Sequence, residues 1–115
     1  MVTELIPRLT IIMPAYNAAE YIGEAVESIL NQTFLNFQLW IIDDGSTDST
    51  REVIEGIDDV RISKIYHNEN RGRVAVVNEV VDKIQTEFFT ITDADDVSHP
   101  VRLEKQIALL DEDKE

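Results

Sequence analysis

The chain has no cysteine, only four glycines and three prolines, and 10 lysines and arginines against 23 aspartates and glutamates. Without cysteine, disulfides and thiolate chemistry are excluded and an intracellular setting is permitted. A formal charge of −13 argues against a surface that tracks nucleic-acid phosphates, and equally against docking on an anionic membrane. Most of this acid is expected to be plain solvated surface. No apolar run reaches the about 18 residues that a spanning helix needs, and the N-terminus lacks the basic-then-apolar pattern of a signal peptide. The expectation is a soluble, cytoplasmic domain, with membrane attachment of a longer parent left open. The glycine cradles G-x-G-x-x-G and G-x-x-x-x-G-K-[ST] are missing too, so any phosphate would have to be held by other means.

What is present is a regular alternation. The 115 residues suit one domain with a real core. Leu9 to Met13 reads as a buried strand stopped by Pro14, and Asn17 with Glu20 resembles a capping box for a helix whose face is Ile22, Ala25, Val26, Ile29 and Leu30. Phe37 to Ile42 is a second strand, with Trp40 in the core. A helix-start signal in Ser46 to Ser49 follows, then Val53, Ile54 and Ile57, closed by Gly56 and Asp58-Asp59. Val60 to Tyr66 alternates and suits an edge strand. Val74, Val77, Val81 and Ile84 mark a third helix, and Glu87 to Thr92 a fourth strand. Ser98, His99 and Pro100 open a last helix through Leu103, Ile107 and Leu110, which is expected to fray from Asp111 to Glu115. Four strands alternating with four helices specify an α/β fold, a parallel sheet covered on both faces, with ligands beyond the strand C-termini.

Three strand ends carry unusual chemistry and fall on that one rim: Pro14-Ala15-Tyr16-Asn17, Asp43-Asp44-Gly45-Ser46 and Asp93-Ala94-Asp95-Asp96. Carboxylates so closely set repel each other, which suits a divalent cation better than a strand end. Aspartates cannot bind phosphate themselves, but Mg²⁺ or Mn²⁺ held by one or two of them can bridge to a diphosphate. Asp93 and Asp95, two apart on an extended strand end, would point to one side, with Asp96 at the turn. An EF-hand is a poor fit, since Val97 stands at its third ligand position and no glycine follows. The bland alternatives are a solvated acidic turn for Asp93 to Asp96, caps for Ser46 and Asp48, aromatic packing for Tyr16 and a solvated helix start for Arg71 and Arg73. His67 and His99 have no partner at zinc-ligand spacing. A phospho-accepting receiver domain would want a lone aspartate after the third strand, where Tyr66-His67 stands.

Ile12-Met13-Pro14-Ala15-Tyr16-Asn17, Ile42-Asp43-Asp44-Gly45-Ser46-Thr47-Asp48, Asn70-Arg71-Gly72 and Thr92-Asp93-Ala94-Asp95-Asp96, in this order and spacing, together resemble family 2 glycosyltransferases of the GT-A fold. The resemblance runs from about Leu9 to Leu110. It implies a three-layer α/β/α domain with a mainly parallel, Rossmann-like sheet, truncated at residues 1–115 to the donor-binding half. It implies a transferase of the kind used in polysaccharide biosynthesis, moving sugar from a nucleoside-diphosphate donor, UDP being the favoured nucleotide, to a glycan, lipid or other hydroxyl acceptor. Pro14, Ala15, Tyr16 and Asn17 would border the base, Asp43 or Asp44 would bond its ring or the ribose, and Asn70, Arg71 and Gly72 would close over both. Asp93, Ala94 and Asp95 form the D-x-D motif, with Asp93 near ribose or metal, Asp95 a direct ligand of Mn²⁺ or Mg²⁺, and Asp96 supporting them. Val77 and Val80 depart from the family pattern, which often has arginine and glycine there, so the diphosphate contact that the arginine would supply is not expected from position 77. The acceptor half and its general-base carboxylate are expected beyond Glu115, so the chain alone would bind nucleotide without turnover. Its sheet edge leaves room for a homo-oligomer.

Overall fold

The structure, a computed structural model, describes residues 7–113. Four strands, β1 (Leu9–Ala15), β2 (Phe37–Asp44), β3 (Ile62–His67) and β4 (Phe88–Ile91), alternate with four helices, α1 (Ile22–Leu30), α2 (Thr50–Glu55), α3 (Arg73–Val81) and α4 (Arg102–Asp113). Every strand pairing is parallel and the order is β3-β2-β1-β4. The two central strands are near-continuous apolar runs because both their faces are covered. Leu9, Ile11, Met13 and Ala15 of β1 share one cluster with α1, α2 and α4 residues, while Ile12 and Ile42 pack with Val76 and Val80 of α3 on the opposite face. This is the expected three-layer α/β/α arrangement. The strand order reverses between β1 and β4, which opens a crevice at their C-terminal ends. Among the described residues, no helix is long and apolar enough to cross a membrane.

The ends of the elements differ from the sequence expectation in instructive ways. Pro14 does not stop β1, which continues to Ala15 with Pro14 opposite Ile42. The Ile12 carbonyl accepts from Thr92 N at 2.9 Å, and two residues on, Pro14 faces the same side, beyond the last β1–β4 pair at Ile12–Ile91. No ladder donor is lost there. Asn17 does not cap α1, whose N-cap is Tyr21 without a side-chain bond. Gly56 ends α2 with φ −80°, so no left-handed cap forms. Val60 is fully exposed and β3 begins at Ile62, on the sheet edge as expected.

The buried stripe of α3 is Val76 and Val80, with Val74 73% exposed and Val77, Val81 and Ile84 at the margin. Several valines in one helix blur the periodic signal, since almost any register places one inward. Trp40 is likewise only half-buried, beside that cluster. Instead of fraying at Asp111, α4 runs to Asp113, tied back where Arg8 meets Glu87 and Asp111 at 2.7 Å each. Lys114 and Glu115 lie outside the described residues.

The rim is braced by a buried amide. Gln32, 2% exposed after α1, donates through Nε2 to the carbonyls of His99 (2.7 Å) and Ser28 (3.1 Å) and accepts the Leu103 amide at 3.0 Å. It thereby fixes the start of α4, and with it the segment that follows the aspartates. Gln32→Leu removes these partners at constant size and is expected to cost about 1–3 kcal/mol, read as a lower urea-denaturation midpoint with an unchanged slope.

Candidate functional site

At the β1/β4 crevice lies a cleft of about 540 Å³. Its walls are Pro14 to Ala18 after β1, Tyr21 before α1, Asp44 at the end of β2, Asn70 and Arg73 around the start of α3, and Asp93, Ala94 and Asp95 after β4. The three chemically unusual strand ends and the Asn70 loop thus converge as the alternation implied. Tyr16 is 48% and Tyr21 51% exposed and both line the cleft, so neither is core packing. Asp43, Arg71 and Gly72 do not line the cleft.

Asp44 organises the β2 side. It is 3% exposed, and its carboxylate accepts from Asn70 Nδ2 (3.1 Å), Arg71 N (2.9 Å) and Gly72 N (2.9 Å). A buried anion is tolerable because these N–H groups replace its water. The loop can deliver two successive amides to one carboxylate because Gly72 adopts φ +93°. Gly45 completes the fit: at φ +69°, a Cβ would lie 2.4 Å from the Glu69 carbonyl carbon, so the β2–α2 turn and the Asn70 loop touch backbone to backbone. Asp43, 2% exposed, accepts from Ser46 N at 3.3 Å and shapes that turn.

Asn17 has an unexpected task. At φ 50°, its Oδ1 accepts from Thr47 N (2.8 Å) and Asp48 N (3.3 Å), while its own amide donates to Ser46 Oγ at 3.0 Å. It staples the β1 end to the β2–α2 turn. Asp48 adds Ala19 N (3.3 Å) and Thr50 N (2.9 Å) to the same seam, and the Thr50 hydroxyl, donating to it, holds its carboxyl below the usual carboxylate range. The capping reading of Asp48 therefore describes only part of its work.

The β4 side carries the acid. β4 ends at Ile91, so Asp93, Asp95 and Asp96 are gathered by a turn in which Asp96 N donates to the Asp93 carbonyl at 3.1 Å, not by strand alternation. One carboxylate oxygen from each of the three lies within 4.8 Å of the others. Around an octahedral Mg²⁺ with ligands at about 2.1 Å, adjacent oxygens lie about 3.0 Å apart and only one pair of any three can be trans at about 4.2 Å, so the three side chains would have to rotate inward to share a hard cation; carboxylate oxygens are the donors such a cation takes. The turn is bracketed by Arg102, which donates to Thr92 Oγ1 (3.0 Å) on one flank and Ser98 Oγ (2.9 Å) on the other. Arg73 Nε donates to Asp93 Oδ1 at 2.9 Å. His67 and His99 stand apart from this group: His67 lies 3.4 Å from Glu79 Oε2, and the His99 ring accepts the Val101 amide.

Residues 10–115 match the profile of glycosyl transferase family 2. The chain belongs to that family. A glycosyltransferase of Haemophilus influenzae is 40% identical over 103 residues, which is 88% of this chain and 41% of the relative. The putative teichuronic acid biosynthesis glycosyltransferase TuaG of Bacillus subtilis is 34% identical over 106 residues, 90% of this chain and 42% of the relative. The chain therefore spans about two-fifths of the length of these two relatives. Among solved structures, S. aureus TarS residues 1–349 in complex with UDP superposes with a TM-score of 0.81 at 28% identity, covering 91% of this chain and 32% of TarS. The mannosyltransferase PcManGT of Pyrobaculum calidifontis, in complex with GDP-Man and Mn2+, gives 0.67 at 32% identity over 77% of this chain and 28% of that protein. The fold is accordingly the GT-A type.

Asp44→Asn places an amide N–H₂ against backbone N–H donors and is expected to destabilise the domain by about 2 kcal/mol or more. Hydrogen exchange at the Arg71 and Gly72 amides should speed up beyond what global stability accounts for. Unchanged protection of those two amides would show that the loop is held by something else.

Proposed function

We propose that this chain is the donor-binding part of a glycosyltransferase, taking a nucleoside-diphosphate sugar at the β1/β4 cleft, with a divalent cation on the diphosphate. The observation that carries this reading is the composition of one cleft: an exposed tyrosine, a loop held by a buried aspartate and three gathered carboxylates. Tyr16 offers a face on which a base can stack, bordered by Pro14, Ala15 and Asn17. Asp44 has about four lone-pair sites, and three serve the loop, leaving one for an N–H of the base or a ribose hydroxyl. Asn70, Arg71 and Gly72 form the flap that Asp44 sets in place, in which Arg71 and Gly72 act through their amides on Asp44. Asp43 acts through the turn it shapes.

Asp93 and Asp95 would hold Mn²⁺ or Mg²⁺, with Asp96 beside them and Ala94 passing close to the diphosphate. Bound there, the cation would stabilise charge on the departing nucleoside diphosphate. UDP is favoured by the TarS complex, while the PcManGT complex with GDP-Man and Mn2+ supports the cation and keeps guanine in view. The acceptor hydroxyl and the base that deprotonates it belong, in this reading, to the part of the relatives that the chain does not span, so residues 1–115 alone bind nucleotide without transfer. A glycan or lipid acceptor and a cytoplasmic setting complete the proposal, supported by the name of the TuaG relative and the cysteine-free composition.

Two measurements test this. Calorimetric titration with UDP or GDP should give heat with Mn²⁺ and lose most of it with chelator; equal heats in both conditions remove the cation from the reading. Asp95→Asn should abolish the cation-dependent part while leaving the melting temperature unchanged or slightly raised, because one charge leaves a repelling cluster. A fall of many degrees would make Asp95 a structural residue.

A further inference from the structure

Among the described residues lining the cleft, Arg73 is the only one with a positive charge. It is the first residue of α3, and its Nε donates to Asp93 Oδ1 at 2.9 Å with the two side chains 54% and 48% exposed. The neighbouring cations are occupied elsewhere. Arg71 turns to Glu79 at 3.6 Å, and Arg102 is engaged by Thr92 and Ser98. Val77, one helical turn beyond Arg73, is uncharged.

The partner of Arg73 matters more than the bond itself. Asp93 belongs to the three-carboxylate group, so a cation seated there and the Arg73 guanidinium draw on the same carboxylate. An exposed ion pair is weak, and a divalent cation competes with it readily. The carboxylate has lone pairs for both, but the cation withdraws the charge that holds the guanidinium, which is then a loosely held planar fork at the mouth of the cleft, beside whatever anion the cation carries, and that fork matches phosphate oxygens two at a time. Resting on the nucleotide-diphosphate reading above, we propose that Arg73 binds the donor diphosphate, and that Asp93 holds it in readiness until the cation takes that carboxylate. Arg73 thus supplies the basic contact that position 77 lacks, from one turn earlier on the same helix. It also couples the two ligands: the cation releases the arginine, and the arginine rewards arrival of the diphosphate.

The test is calorimetry on the intact protein and its Arg73→Ala and Arg73→Lys variants, with UDP, GDP, uridine and guanosine in Mn²⁺, and with Mn²⁺ alone. Arg73→Ala is expected to weaken the bound diphosphate roughly ten- to hundredfold, as loss of a charge-assisted contact does. The matching nucleoside should change by less than about twofold, and Mn²⁺ alone should bind more tightly, since its competitor for Asp93 is gone. Arg73→Lys, which keeps the charge but not the fork, should fall between and remains informative if the alanine variant does not fold. Equal losses for nucleoside and diphosphate, or no loss for the diphosphate, overturn the proposal while leaving the donor-site reading intact. A wild-type protein that binds neither nucleotide overturns both.

Discussion

The Asp44 carboxylate is the group on which this rim depends. It sits at the end of a central strand, 3% exposed, and it spends its lone pairs on Asn70, Arg71 and Gly72, 26 to 28 residues away in sequence. Ionised and buried, it would be intolerable without those donors. Their amides, in turn, point inward only because Gly72 takes a left-handed conformation. Gly45 allows the Glu69–Asn70 backbone to lie against the preceding turn, where any side chain would collide with main chain. One charge therefore locks the β2–α2 turn to the loop before α3, and these two segments define the β2 side of the cleft.

The acidic side is held by a separate set of contacts. Gln32 fixes the start of α4 from beneath, and Arg102 joins Thr92 to Ser98 across the turn that carries Asp93, Asp95 and Asp96. Three like charges gathered in a turn tend to spread apart. The flanks of that turn are fastened to buried elements, so repulsion can move the exposed side chains of Asp95 and Asp96 but not the backbone that presents them. A hard cation would need this division, with a fixed frame carrying side chains free to turn inward.

Much of this was legible in the sequence because it rests on local chemistry. Alternating apolar strands and amphipathic helices prescribe a parallel sheet, and the strand ends carrying Tyr16, Asp44 and Asp93 must then share a rim. What escaped was long-range. Asn17 followed by Glu20 has the spacing of a capping box, yet its side chain is drawn to the amides of Thr47 and Asp48, a partner 30 residues away that no window of sequence contains. Pro14 looked like a strand stop because the rule counts ladder donors without knowing that β4 ends opposite Ile12. Asp43 and Asp44 read alike as neighbours, but alternation along a strand turns them differently, and only Asp44 reaches the cleft wall. Gln32 and Arg102 carried no signal at all, since a lone amide after a helix or an arginine in a helix's first turn is ordinary until its partners are known.

The two clusters of acid on this chain also differ in kind, although composition alone merges them. On α4, Asp111 is paired with Arg8, whose side chain holds its carboxyl below the usual range. Its stabilising effect is present above the unfolded carboxylate pKa and is lost as pH falls through the lowered folded value. Asp95 and Asp96, by contrast, stand exposed beside Asp93, which has Arg73 as a shared and weakly held partner. Charge that folding has already neutralised contributes stability and is unavailable for ligands. Charge that folding brings together and leaves uncompensated costs stability, and this chain carries that cost on a braced turn at the switch point of its sheet.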